Sequence, residues 1–153
     1  MFKYSELNTK YGNDVLPKVK EAENLARSYG RHRSHLYFNL QCKHAGIIPK
    51  GLKVKYQTNS SQARNIIHKA EFELLNLRIK ETIQRKAQLN KRLENVTNEL
   101  KLILPSDIYT EIAKNNANRE QREVVKSSKT QMKKFLKLKH GEQFFHNHQN
   151  RSP

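Results

Sequence analysis

The sequence predicts an all-α protein. One long central helix is flanked by shorter helices, closing as a helical hairpin or a coiled coil, with one short extended basic segment. Three observations carry that expectation. Gln62 to Leu104 contains no Gly and no Pro. The whole chain has five Gly and four Pro in 153 residues, which leaves few turns. Hydrophobic residues make up 35% and charged residues 29%, lean for a globular core and ordinary for amphipathic helices.

Asp14 is placed to cap the first helix, and Pro17 falls near its first turn, where a missing N–H costs little. Val15, Val19, Ala22, Ala26 and Tyr29 recur at three or four residues, with Leu25 beside them, so one face is apolar. Gly30 breaks or softens this helix. A second helical stretch runs from Arg31 to Ala45 with Leu36, Phe38 and Leu40 as anchors, and Gly46 suits the left-handed position that ends it.

Between Ile47 and Tyr56 the pattern changes. Pro49-Lys50-Gly51 is a turn signal, after which Leu52, Val54 and Tyr56 alternate with Lys53 and Lys55. Ser60 or Ser61 caps the long helix that follows. Positions 72, 75, 79, 82, 86, 89, 93, 96, 100 and 103 step by three and four and are apolar except at Thr82 and Lys86. Ala63, Ile66, Ala70, Leu74 and Leu77 mark a neighbouring face. The first half of the helix is therefore expected to pack on the N-terminal helices. The second half, with the narrow seam Leu89, Leu93, Val96, Leu100 and Ile103, is expected to need a helical partner, in this chain or in a homodimer.

Pro105 stops the long helix and Ser106 caps the next, where Ile108, Ile112 and Tyr109 face inward. Asn115 to Ser128 is largely polar. Met132, Phe135, Leu136 and Leu138 then alternate with Lys133, Lys134, Lys137 and Lys139 as a basic amphipathic helix, and residues 141–153 read as a disordered tail. The organisation is a basic helical region with a Pro/Gly turn at 1–59, the long helix and a returning basic helix at 60–140, and the tail.

Charge identifies the class of partner. There are 30 Lys/Arg against 14 Asp/Glu, a formal net charge of +16. From Asn24 to Ala70 there is no acid, against nine Lys/Arg and four His. One-sign surfaces repel themselves, so an anionic polymer is the expected partner. The expected phosphate contacts are Arg27, Arg31, Arg33, Lys43, Lys50, Lys53 and Lys55, with Lys133, Lys134, Lys137 and Lys139 as a second footprint. Tyr29, Tyr37 and Phe38 either stack on bases or pack in the core. RNA and DNA both fit, and a coiled-coil interaction protein without a nucleic-acid target is the alternative. A membrane surface under Met132 to Lys139 ranks third.

Enzymatic motifs are missing from the sequence. There is no nucleotide-binding glycine loop, and the carboxylate pairs Glu71/Glu73 and Glu120/Glu123 read as solvated charges on helices. His32, His35, Cys42 and His44 are acceptable zinc ligands, but their spacing matches no standard finger and all lie in one helix and its end. No catalytic residue, metal, cofactor or small-molecule substrate is assigned. One cysteine excludes an internal disulfide, no apolar run reaches membrane-spanning length, and the N-terminus lacks a secretory pattern. The expected compartment is nuclear or cytoplasmic, without secretion.

Leu36 to Lys55, Ala63 to Ile79 and the Lys133–Leu138 block resemble the segment upstream of the polymerase core in Penelope-like retroelement proteins. The resemblance implies an origin in a mobile-element reverse transcriptase and a role in gripping template RNA or DNA. The polymerase palm and the GIY-YIG endonuclease of that family have no counterpart in these 153 residues, so no catalytic residue carries over.

Overall fold

The computed structural model describes residues 2–54 and 59–150, with side chains described as far as Gly141. Lys55 and Tyr56 of the expected extended segment lie outside the described residues. Four α-helices follow in order: α1 Tyr4–Tyr11, α2 Val15–Ala45, α3 Ser61–Ile103 and α4 Ser106–Asn150. A single 3-10 turn, Lys50–Leu52, stands where Pro49-Lys50-Gly51 signals a turn, and there is no strand among the described residues.

The flanking helices are longer than expected. Gly30 does not interrupt α2, because glycine costs a helix only about 1 kcal/mol, which packing overrides. The polar stretch Asn115–Ser128 holds no breaker, so α4 passes through it and on to Asn150, into the region read as a tail. The leading helix α1 precedes the expected first one. Its Asn8 Oδ1 accepts a hydrogen bond from Leu16 N at 2.8 Å, capping α2 in the way expected of Asp14. At the other end of α2, Gly46 has φ 72°, Ile47 N donates to Cys42 O at 2.9 Å and Gly46 N to Lys43 O at 3.2 Å. That pair of bonds is a Schellman closure, completed by buried Ile47 beside Cys42. Ser60 caps α3 by accepting from Ala63 N at 3.3 Å. Ser106 is the first residue of α4 instead of its cap, and the carbonyl of Pro105 takes the first bond, from Tyr109 N at 3.0 Å.

The chain forms two compact units that are each discontinuous in sequence. The first comprises residues 2–33 and 84–127. Its core joins Leu7 of α1, Val15, Val19, Ala22 and Leu25 of α2, Val96 and Leu100 of α3, Leu104, and Ile112 of α4. Leu89 and Leu93 pack against it. The narrow seam of α3 thus finds its partner inside the chain. Ile103 is the exception. It is exposed, and Leu104, one further four-residue step from Leu100, takes the buried place.

Within this unit α2 and α4 approach closely at Gly30. A Cβ there would lie 2.5 Å from the carbonyl oxygen of Glu120. Lys86, the polar gap in the seam, sits 5.8 Å from the Tyr29 ring centroid and makes a cation–π contact.

The second unit comprises residues 34–54, 59–83 and 128–150. Its core is smaller: Phe38 and Cys42 of α2, Ile48, and Leu75 and Ile79 of α3, with Leu36, Leu52, Phe72, Phe135 and Leu138 against it. Two part-buried contacts between α2 and α4 in this unit are polar. Ser34 and Ser128 meet at 3.3 Å, and His35 Nδ1 and Gln131 Nε2 at 3.0 Å. Leu40 is exposed, because Phe38 and Cys42 turn the opposite side of α2 inward. The expected second face of α3 does not pack: Ile66 is 69% exposed, and Leu74 and Leu77 are exposed as well. Of the residues expected on the apolar face of the extended segment, Leu52 packs against this core and Val54 is exposed.

Candidate nucleic-acid interface

The two units use their charges differently. In the first, carboxylates and cations meet mostly between helices. Lys18–Glu99 (3.3 Å) and Arg92–Glu21 (3.8 Å) join α2 to α3. Arg119–Glu23 (3.4 Å) joins α4 to α2, with Tyr4 Oη donating to Glu23 Oε1 at 2.6 Å and accepting from Arg119 at 2.9 Å. Burial foremost, then the hydrogen bond to Glu23, raises the Tyr4 phenol above its ordinary value.

Arg31 and Arg33, expected as phosphate clamps, belong to this pattern. Arg33 Nη1 donates to Glu120 Oε1 at 2.8 Å, and Arg31 Nε lies 3.8 Å from Glu123 Oε1. The acid-free stretch of sequence therefore receives acids from α4, eighty-seven residues away in the case of Glu120. Glu120 and Glu123, read as solvated charges on their own helix, pair across to α2 instead. Half-exposed pairs of this kind contribute about 0–1 kcal/mol each, so their effect is on register and on local charge more than on stability. Arg27 is exposed and makes no ion pair among the described residues.

The second unit is the more cationic. Counted by sequence over 34–83 and 128–153, it holds 14 of the 30 Lys/Arg and only 4 of the 14 Asp/Glu, a net charge of +10 against +6 for the rest of the chain. Among its described residues no Lys or Arg pairs with a carboxylate. Lys43, Lys50, Lys53, Lys133, Lys134, Lys137 and Lys139, all expected contacts, are exposed in it. Lys55 lies outside the described residues. Its acids are few, and one is engaged elsewhere. Glu71, buried on α3, accepts from Val54 N at 2.9 Å and lies 3.7 Å from His68 Nδ1. It thereby holds the segment after the 3-10 turn, which carries Lys53, against α3.

Lys69, Lys80, Lys129 and Arg64, not among the expected contacts, are exposed in the same unit, and Arg78 is half-buried. All but Lys129 lie on the long helix, whose heptad pattern drew attention to packing. The signal for them is the composition of Gln62 to Lys80, where four cations face two acids.

Among the described residues no group of His, Cys, Asp and Glu side chains could hold a metal ion. Burial pushes the Cys42 thiol from 9.0 up to about 11, so it stays protonated at neutral pH. His32 Nδ1 donates to the Ser28 carbonyl at 2.8 Å, His35 meets Gln131, and Cys42 lies in the core, so these three side chains do not converge. Of the three aromatics expected to stack or pack, Phe38 is in the core, Tyr29 faces Lys86, and Tyr37 is 60% exposed.

No helix among the described residues is long and apolar enough to cross a membrane. No protein-family model, curated protein or solved structure matches the chain.

Proposed function

We propose that this protein is a non-catalytic nucleic-acid-binding helical module with little sequence specificity, and that its phosphate contacts come from the second unit. One observation carries the reading. That unit concentrates a net charge of +10, and none of its described Lys or Arg side chains pairs with a carboxylate. Such a surface is self-repelling until an anionic polymer neutralises it, and release of the polymer's counterions then drives binding. The contacts assigned are Lys43, Lys50, Lys53, Lys133, Lys134, Lys137 and Lys139, joined by Lys69, Lys80 and Lys129. Arg31 and Arg33 are assigned to the contact between α2 and α4.

The resemblance to the segment upstream of the Penelope-like polymerase core points to the same partner. Leu36–Lys55, Ala63–Ile79 and the Lys133–Leu138 block, which carry the resemblance, all fall in the second unit. On this reading the chain derives from a template-gripping region.

Titration with fluorescent oligonucleotides of unrelated sequence tests the proposal. About six neutralised phosphates give a slope of log affinity against log salt near −5 on duplex. Affinity should be alike across sequences, and Lys133→Gln with Lys137→Gln should weaken all of them together, by roughly tenfold at moderate salt. A flat salt response, or a loss confined to one sequence, contradicts it.

A further inference from the structure

We infer that Glu71, a carboxylate inside the more cationic unit, is a positioning residue for the nucleic-acid contacts of Lys50 and Lys53, an inference that rests on the proposed function. Charge alone gives it the opposite role: an acid beside a phosphate-binding surface weakens the attraction for a polyanion. Glu73 and Glu81, the other acids of the unit whose side chains are described, are exposed. Glu71 is 7% exposed. Burying a carboxylate is costly unless hydrogen bonds hold its charged form, so its partners define its use.

The two oxygens of Glu71 face different partners. Oε2 accepts from Val54 N at 2.9 Å, and Oε1 lies 3.7 Å from His68 Nδ1. The His68 ring stands edge-on to Phe72 with 5.0 Å between centroids, and Phe72 packs against the core of the unit. The carboxylate is thus seated on α3 and reaches one backbone amide seventeen residues earlier. That amide closes the stretch of chain that carries Lys50 and Lys53. Upstream, Ile47, Ile48 and Pro49 are buried. In the middle, the 3-10 turn Lys50–Leu52 places Leu52 against the core, and Lys53 N donates to Lys50 O at 3.4 Å. Lys50 and Lys53 are the exposed cations between these anchors. The bond to Val54 N fixes the backbone immediately after Lys53. Without it, the chain beyond Leu52 keeps backbone freedom that phosphate binding must then remove.

The full chain is titrated with a mixed-sequence DNA duplex, the matching RNA duplex and one strand of each, and whichever binds tightest serves as the probe. Glu71→Leu removes the acceptor, and Glu71→Gln keeps an oxygen in its place. Circular dichroism checks helix content, and NMR hydrogen exchange follows the Val54 amide. In Glu71→Leu that amide should lose protection. Affinity should fall about fivefold, the low end of what ordering one backbone residue costs, although the variant is one charge more positive. Glu71→Gln should keep the protection and at least the wild-type affinity. Lys50→Gln with Lys53→Gln should cost less in Glu71→Leu than in the wild type, whereas Lys133→Gln with Lys137→Gln should cost the same in both. Wild-type or tighter binding by Glu71→Leu overturns the inference and leaves the proposed function standing. So does a Val54 amide that stays protected in Glu71→Leu, or a Glu71→Gln variant as weak as Glu71→Leu. A Lys133/Lys137 cost that shrinks together with the Lys50/Lys53 cost marks general damage to the unit and overturns it as well. Failure of the wild type to bind any of the four nucleic acids overturns the proposed function, and the inference with it, whatever the Val54 amide does.

Discussion

Gly30 illustrates how a residue's meaning changes when its neighbours are known. In the sequence it either breaks or softens a helix. In the fold it is the point where α4 backbone comes within contact of α2, and a Cβ would meet the Glu120 carbonyl oxygen at 2.5 Å. Gly30→Ala should therefore destabilise the protein by about 1–3 kcal/mol through overpacking, although alanine is the better helix former by about 1 kcal/mol. A chemical-denaturation midpoint that rises in the variant would refute the close approach. Gly46 was legible from sequence because its role is local: a left-handed residue closing a helix. Gly30 was not, because its partner is ninety residues away. Cys42 gives a second residue-scale test. Burial holds its thiol near 11, against 9.0 when exposed, so the folded state keeps a proton that the unfolded chain releases. The resulting stability is complete below pH 9 and is lost as pH rises towards 11. Tyr4, also raised, acts in the same direction above pH 10. Thermal melts should fall between pH 9 and pH 11, and Cys42 should resist thiol reagents at neutral pH until the protein unfolds. An unchanged melting temperature across that window would contradict the burial.

Among the elements, α3 was the most legible and also the most misleading. Its length and its seam follow from the absence of Gly and Pro and from apolar steps of three and four. Periodicity alone does not say which chain provides the partner. Here Val96 and Leu100 pack on Val15, Val19, Ala22 and Leu25 of α2 and on Ile112 of α4. Leu93→Lys with Leu100→Lys should therefore unfold the first unit, removing several kcal/mol of burial and leaving unpaired charge in the core. A folded monomer formed from a wild-type dimer, by sedimentation and circular dichroism, would instead support a coiled coil between chains. The second apolar face, Ile66, Leu74 and Leu77, looked equally suited to packing in the sequence and stays exposed. The opposite side of α3, with Leu75 and Ile79, fills the small core that Phe38 and Cys42 offer. Length also misled at the flanks, since a polar run without Pro or Gly, as at Asn115–Ser128, continues a helix when its neighbours pack.

At the scale of the whole molecule the organising quantity is charge. The sequence shows an excess spread along the chain and purest between Asn24 and Ala70. The fold redistributes it. Glutamates of α3 and α4 meet the cations of α2 in the first unit, while the second unit assembles three lysine-bearing segments with few acids. Within the acid-free stretch Lys43, Lys50 and Lys53 are exposed without an ion pair among the described residues, whereas Arg31 and Arg33 receive acids from α4. No local pattern distinguishes the two sets, because the acids that pair with the arginines lie on another helix. The most direct measurement of this partition is the salt dependence of duplex binding, compared between two triple variants. One removes Lys129, Lys133 and Lys137 from the second unit. The other removes Lys91, Lys101 and Lys114, exposed cations of the first. If binding neutralises the second unit, the first variant should reduce the slope by about 2.7 and the second should leave it near −5. Equal reductions in the two variants, or a reduction only in the second, would contradict the account.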